Sequence, residues 1–332
     1  MQTVTPERVA AKLTELKLEL SPAISYRLET LFPQLEGWFV NRRLRKKFQQ
    51  IQKLEPLLAD LLLEHEEVQL VLHGNQGTLA DIILTGSLWI GTTSCTALVF
   101  TNLRLYCIRT DDQDTPQKTF WSIYYSQIHN LQLTLFGSAR FSLKDGRRLL
   151  FSGVIKEDLD RMQATVQENC DRFRNTGFDP AVTQSREQLC GHCFDVIPPG
   201  LYDCESCGAT YWTPSEVGIR SFLFPSWGDF VMKHEVLAFM ELIGFCLLLL
   251  FTLTSFSEGK YGTGLAVFFL ANLADALMSV QIATRALHLK SVPSFTDFQN
   301  QNAFDWEQER SVQLDLRSDY ADYRVAASAD EL

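Results

Sequence analysis

The chain has 332 residues, enough for two or three compact units. A formal net charge of -10 excludes a protein that coats nucleic acid through its overall field, so nucleic acid is not expected as a partner without a local basic patch. Of the eight cysteines, Cys190, Cys193, Cys204 and Cys207 cluster, whereas Cys95, Cys107, Cys170 and Cys246 are scattered; this pattern points to a metal more than to cross-links.

Residues 1–67 read as an N-terminal helical region. The opening alternates charge and has no apolar h-region, so no secretory signal is expected and the soluble parts are expected in the cytoplasm. Thr5-Pro6, Ser21-Pro22 and Phe32-Pro33 each precede helix-compatible residues, and proline suits the first turn of a helix, where its missing N–H costs nothing. Val9, Leu13, Leu16 and Leu20 form one stripe, and Leu35, Trp38, Leu44, Phe48, Ile51 and Leu54 continue it, which predicts a small bundle or hairpin. The basic run Asn41–Lys47 follows Trp38 and Phe39. It is either a solvated helix face or a site for anionic lipid, at roughly 1 kcal/mol per cation near the surface.

From Val68 to Gly153 the period changes to strands: QLVLHG, DIILTG, SLWIG, TALVFT, LRLYCIRT, TFWSI, IHNLQLTL, ARFSL and RRLLFSG, with turn residues between them. Ile155, Leu159, Met162, Val166, Cys170 and Phe173 then describe one apolar face of a closing helix.

TALVFTNLRLYCIRT, then WSIYYSQIHNLQL, GSARFSLKDGRRLLFSGV and the closing helix resemble the bacterial pleckstrin-homology-like domains, related in shape to the GRAM group. The resemblance rests on Thr101-Asn102-Leu103-Arg104-Leu105 and on Tyr125-Ser126-Gln127-Ile128, and it covers 68–174. It implies a bent β-sandwich or barrel capped by a helix, acting as a non-catalytic binding module near membranes or partners. The first hairpin has no cluster of basic residues that would extend this to phosphoinositide binding.

Residues 175–188 are polar, broken by Gly177 and Pro180, and read as a linker. In 189–214, Cys190-Gly191-His192-Cys193 and Cys204-Glu205-Ser206-Cys207 form two C-x2-C knuckles. Two such knuckles complete a tetrahedron around Zn²⁺ at about 2.3 Å per sulfur, and four thiolates leave no open position, so a structural zinc is expected. The segment resembles the zinc-ribbon family, with these four cysteines in the ligand positions. Gly191 and Gly208 are assigned to the knuckle turns, and His192 to a neighbour of the metal.

Within 235–286, Val236–Phe256 and the stretch from Tyr261 each match the roughly 20 apolar residues that span a bilayer, carrying Glu241 and Asp275. Only Ser257-Glu258-Gly259-Lys260 joins them, which predicts an antiparallel transmembrane hairpin. Arg220, Lys233, Arg285 and Lys290 flank its open ends against Lys260 in the turn, so both termini are expected to be cytoplasmic in a multi-pass protein of the inner membrane. A soluble hairpin buried on the other domains is the alternative. The remainder, 291–332, is an acidic tail expected to be cytoplasmic.

No H-E-x-x-H, P-loop, G-x-S-x-G or dinucleotide fingerprint occurs, so a catalytic role is not expected. The chain therefore reads as a multidomain α+β membrane protein: N-terminal helices, a pleckstrin-homology-like β-barrel or sandwich capped by a helix, a four-cysteine zinc ribbon and two transmembrane helices. The leading function is a membrane-tethered binding or scaffold protein that recruits a protein partner to the cytoplasmic membrane face, with the lipid bilayer as its other partner. The alternatives are a small transporter or channel subunit using Glu241 and Asp275, which would need a homo-oligomer to enclose a path, and a nucleic-acid-binding ribbon.

Overall fold

The computed structural model describes residues 4–77, 95–111, 113–134 and 137–293. The strand candidates DIILTG and SLWIG and the body of the acidic tail lie outside these residues.

Helix α1 (Pro6–Glu15) starts at its proline and buries Val9 and Leu13. Helix α3 (Val40–Leu61) buries Leu44, Phe48, Ile51, Leu54, Leu58 and Leu61 at steps of three and four, the stripe expected of a helix lying on a core. The other two prolines behave differently. After Pro22 the chain forms the short strand β1 (Ser25–Tyr26), which pairs parallel with β2 (Glu67–Gln76), and only the four-residue helix α2 (Leu28–Leu31) precedes Pro33. Nor do the helices make a bundle of their own. Val9, Leu31, Leu44, Ile51, Leu54 and Leu58 share one cluster with Val71, Ala97, Val99, Tyr106 and Ile108, so the helices form a layer over a sheet.

The sheet holds β3 (Cys95–Thr101), β4 (Arg104–Thr110), β5 (Pro116–Tyr124), β6 (Ile128–Leu133), β7 (Ala139–Leu143) and β8 (Arg148–Ser152), and adds β9 (Glu187–Leu189) and β10 (Val196–Ile197). Its order is β10-β9-β5-β4-β3-β2-β8-β7-β6, antiparallel throughout, with β1 beside β2. Strand β2 pairs with β3 along Val68–Asn75 and with β8 at Asn75 and Gln76, so it joins two meanders. Leu70, Leu98, Leu105 and Trp121 from one meander meet Phe141, Leu149 and Phe151 from the other in a second cluster. Helix α4 (Lys156–Thr176) closes that cluster with Leu159, Met162, Val166, Cys170 and Phe173, as its sequence pattern predicts. Because one face meets α4 and the opposite meander while the other meets α1–α3, β3 and β4 are buried at nearly every position. Their unbroken apolar runs follow from this two-sided burial.

The expected linker ends as part of this sheet. Glu187 pairs with Ser122 and Leu189 with Phe120, and the Arg186 guanidinium lies 4.1 Å from the centre of the Trp121 ring. Strand β5 would otherwise be an open edge, and β9 covers it.

Beyond the cysteine segment come α5 (Pro214–Leu223), α6 (Trp227–Val231), α7 (Glu235–Ser257) and α8 (Tyr261–Ala283). Helices α7 and α8 have mean hydropathies of 2.5 and 1.8 and are long and apolar enough to cross a membrane; only 17% and 22% of their apolar windows are buried. After α8 the chain returns as β12 (Leu289–Ser291) to pair with β11 (Thr210–Tyr211), while Thr119 donates to the Leu287 carbonyl at 3.0 Å. The end of α8 is thereby held next to the cysteine unit and the sheet, and the start of α7 lies beside it, with Leu237 packed on Ile282 and Ala283.

Candidate metal centre

The two knuckles fold alike. In the first, the Cys190 N–H donates to the Asp195 carbonyl at 2.7 Å and the Phe194 N–H to the Cys190 carbonyl at 3.1 Å. In the second, the Cys204 N–H donates to the Ala209 carbonyl and the Gly208 N–H to the Cys204 carbonyl, both at 2.8 Å. The residue after each C-x2-C takes a left-handed backbone: Gly208 at φ 67° and Phe194 at φ 68°.

The glycine assignment is therefore half right. Gly208 supplies the turn as expected, but Gly191 does not have a positive φ. It is required for close approach, since a Cβ there would run into the Lys118 carbonyl of β5. Phe194 pays the left-handed cost in the first knuckle, and stacking of its ring on Phe120 at 5.6 Å offsets part of it. Glycine spacing alone cannot reveal a phenylalanine in this role.

All four sulfurs lie within 4.8 Å of one another, with Cys190 Sγ 3.5 Å from Cys207 Sγ and Cys193 Sγ 3.5 Å from Cys204 Sγ. No pair is bonded as a disulfide. A tetrahedron with metal–sulfur bonds of about 2.3 Å has edges of about 3.8 Å, so the spacing suits one ion held by four thiolates. Donors surround Cys190: the Tyr211 hydroxyl donates to its sulfur at 3.1 Å, and the His192 N–H approaches it at 3.4 Å. Such donors suit a sulfur that carries negative charge. Tyr211 also accepts the Gly191 N–H at 2.8 Å and so ties the first knuckle to the strand that follows the second. The His192 side chain is exposed and is no member of the sulfur group. Tyr211 is buried and Tyr202 packs on the same small cluster; Trp212 lies between Arg220 at 4.4 Å and Lys290 at 4.7 Å. These aromatics serve packing here, without forming an open face.

The other residues singled out in the sequence fall elsewhere. Within the basic run, Arg42, Arg45 and Lys46 are exposed on the first turns of α3, whereas Lys47 turns inward to the Val71 carbonyl and burial pulls its pKa down to about 8. Arg43, Lys46, Lys47 and Arg161 line a cleft of about 520 Å³ between α3 and the start of α4, offset there by Glu157 and Asp158. Glu241 and Asp275 each keep a carboxylate oxygen out of solvent without a hydrogen-bond partner in the protein. Asn272, a natural partner for Asp275, accepts nothing through its Oδ1.

Asp229 carried no sequence signal, yet it is fully buried, pairs with His234 Nδ1 at 3.0 Å and accepts from Ser279 at 3.3 Å.

No family model matches this chain, and no curated protein matches it.

Proposed function

We propose that this is a membrane-tethered binding or scaffold protein, without catalysis, that recruits a protein partner to the cytoplasmic face of the inner membrane. In this reading α7 and α8 span the bilayer, both chain termini are cytoplasmic, and Cys190, Cys193, Cys204 and Cys207 hold a structural zinc. The two-meander sheet closed by α4 is read as a pleckstrin-homology-like module.

One observation carries the reading. Two 23-residue apolar helices leave most of their surface uncovered, while the strand that leaves α8 pairs with the strand after a four-thiol unit that needs a reducing compartment, and the start of α7 packs beside that end of α8. Zinc is favoured because four thiolates in a closed shell are its characteristic structural donor set. Arg220, Lys233, Arg285 and Lys290 lie around the docked ends, and only Lys260 lies at the far turn, which supports the cytoplasmic placement.

Alkaline extraction of membranes carrying the full-length chain, with metal analysis of the detergent-purified protein, tests this reading. Retention in the membrane with one zinc per chain is expected, and release into the wash would overturn it. Proteins co-purified with the intact chain should bind equally well after Glu241 and Asp275 are neutralised.

The unpartnered carboxylate oxygens of Glu241 and Asp275 favour a second reading, an oligomeric transporter or channel subunit. It requires ion or proton flux in proteoliposomes that Asp275→Asn abolishes.

A further inference from the structure

Between the metal unit and α7, the chain makes an excursion alongside the apolar helices. Helix α5 begins at a capping box, with the Glu216 N–H donating to Thr213 Oγ1 and the Glu216 carboxylate accepting the Thr213 N–H. Glu216 also pairs with Lys290 at 2.7 Å, which places this end at the level of β12 and the cysteine unit. The other end lies far from that level. The Phe222 ring is 5.6 Å from Phe269, and the Phe224 ring is 5.1 Å from Phe245.

Phe245 is ten residues into the 23-residue α7, about 15 Å along a helix of about 34 Å. Phe269 is fourteen residues from the Ala283 end of α8, about 21 Å along it. The turn at 224–226 therefore sits near the middle of both helices, and α6 brings the chain back toward Glu235. A ten-residue helix of about 15 Å reaches half of a hydrocarbon core of about 30 Å and no further.

The polarity of the excursion is inverted. Ile219 (61% exposed), Leu223 (67%), Phe224, Trp227 and Phe230 face outward. The inward face is small and polar. Gly218 lies against Val280 and Ala276, Ser221 bonds Ser279 at 2.7 Å, and the Gly228 N–H donates to Ser221 Oγ. Asp229 is fully buried beside Ser279 and His234. In water this arrangement is backwards; in lipid it is the arrangement that leaves no polar group facing hydrocarbon. The backbone obeys the same rule. The Phe224 N–H donates to the Arg220 carbonyl, the Trp227 N–H to Phe224 and the Phe230 N–H to Ser226. Arg220, the one cation on α5, reaches back over Trp212 at 4.4 Å and lies 6.0 Å from the centre of the Trp227 ring, so two indole rings flank its guanidinium.

We infer that residues 213–231 form a re-entrant membrane segment: α5 enters the bilayer from the side of the metal centre, turns at 224–226 near mid-depth, and α6 returns, with Ile219, Leu223 and Phe224 against lipid acyl chains. This rests on the membrane reading of α7 and α8. The occupant is lipid because the exposed apolar residues of α5 and α6 are followed by Val236, Phe239 and Met240 at the start of α7, interrupted only by exposed Lys233 and Glu235 where the chain would re-emerge among headgroups.

The test places a genetically encoded fluorescent amino acid, one position at a time, at Ile219, Leu223, Leu247 and Leu201 of the full-length chain. Each protein is reconstituted in phosphatidylcholine vesicles whose acyl chains carry bromine near the headgroup or near the chain end, and unchanged metal content certifies the fold. Leu223 should lose more fluorescence to the deep bromines, like Leu247 in α7, Ile219 more to the shallow ones, and Leu201 in the cysteine unit should be insensitive to both. Quenching of Leu223 only by shallow bromines, as for a segment lying on the surface, would overturn the inference. Insensitivity at Leu223 with normal deep quenching at Leu247 would also overturn it, because water or a second protein would then cover this face. Insensitivity at Leu247 would instead remove the membrane reading itself, and the re-entrant segment with it.

Discussion

Removal of the Glu66 carboxylate should be among the most damaging single changes in the sheet. Glu66 is buried, and its two oxygens accept from Thr101 Oγ1 at 2.7 Å, Tyr106 Oη at 3.1 Å, the Leu63 N–H at 3.1 Å, and Arg104 Nε and Nη2 at 3.4 Å. In Glu66→Ala the two hydroxyls keep other acceptors: Thr101 has the Arg104 carbonyl at 2.8 Å and Tyr106 the Leu61 carbonyl at 3.3 Å. The Arg104 side chain is only 11% exposed and keeps no carboxylate in ion-pair contact, with the Tyr124 hydroxyl at 3.2 Å and Glu187 at longer range left to it, so the cost lies mainly in an under-compensated buried cation, about 3–5 kcal/mol. For a unit of this size that is a fall in Tm on the order of 10 °C, read from the sheet signal in circular dichroism of the detergent-solubilised chain. Adding Arg104→Met, which removes that charge, should recover much of the loss. A Glu66→Ala loss below about 1 kcal/mol, or a double variant no better than the single, would refute this account.

Three other outcomes follow from the geometry. Chelation or Cys204→Ser should release the metal and expose 187–214 to proteolysis while leaving the α4 core folded, because the cysteine unit has only a small apolar cluster of its own; limited proteolysis followed by mass spectrometry reads this. Gly191→Ala should cost about 1–3 kcal/mol and loosen the first knuckle from β5, seen as faster metal release to a chromogenic chelator, while Leu201→Ala at an exposed side chain should leave that rate unchanged. Burial, opposed by Asp114, holds the His73 pKa down to about 4 from 6.5. The unfolded chain therefore takes up this proton first on acidification. Stability is fully present above about pH 6.5 and falls by about 3 kcal/mol toward pH 4, and His73→Phe should flatten that part of the curve in pH-dependent chemical denaturation.

The motif behind the family resemblance acquires a physical meaning in the structure. Thr101 Oγ1 accepts the Leu103 and Arg104 N–H groups, Asn102 Oδ1 accepts the Glu67 N–H, and the Tyr125 hydroxyl donates to the Thr101 carbonyl at 2.8 Å. These residues lock the β3–β4 turn to the entry of β2 and to the closing helix. A turn with its side-chain acceptors is a local pattern and can be read in one dimension. That Glu66 completes it could not be read, because nothing in His65-Glu66-Glu67 distinguishes the buried carboxylate from its neighbour.

The sequence by itself determined β2 to β8 of the described sheet, the stripe of α4, the two cysteine knuckles and the two long apolar helices, because periodicity and ligand spacing are properties of adjacent residues. Only the tertiary structure decided that the N-terminal helices cover a sheet, that 187–189 joins it, that Phe194 takes a left-handed turn, and that 213–231 turns its polar side inward. Each of these depends on which surface lies opposite. Burial pattern tells a residue that it must be covered, and only long-range packing chooses the cover.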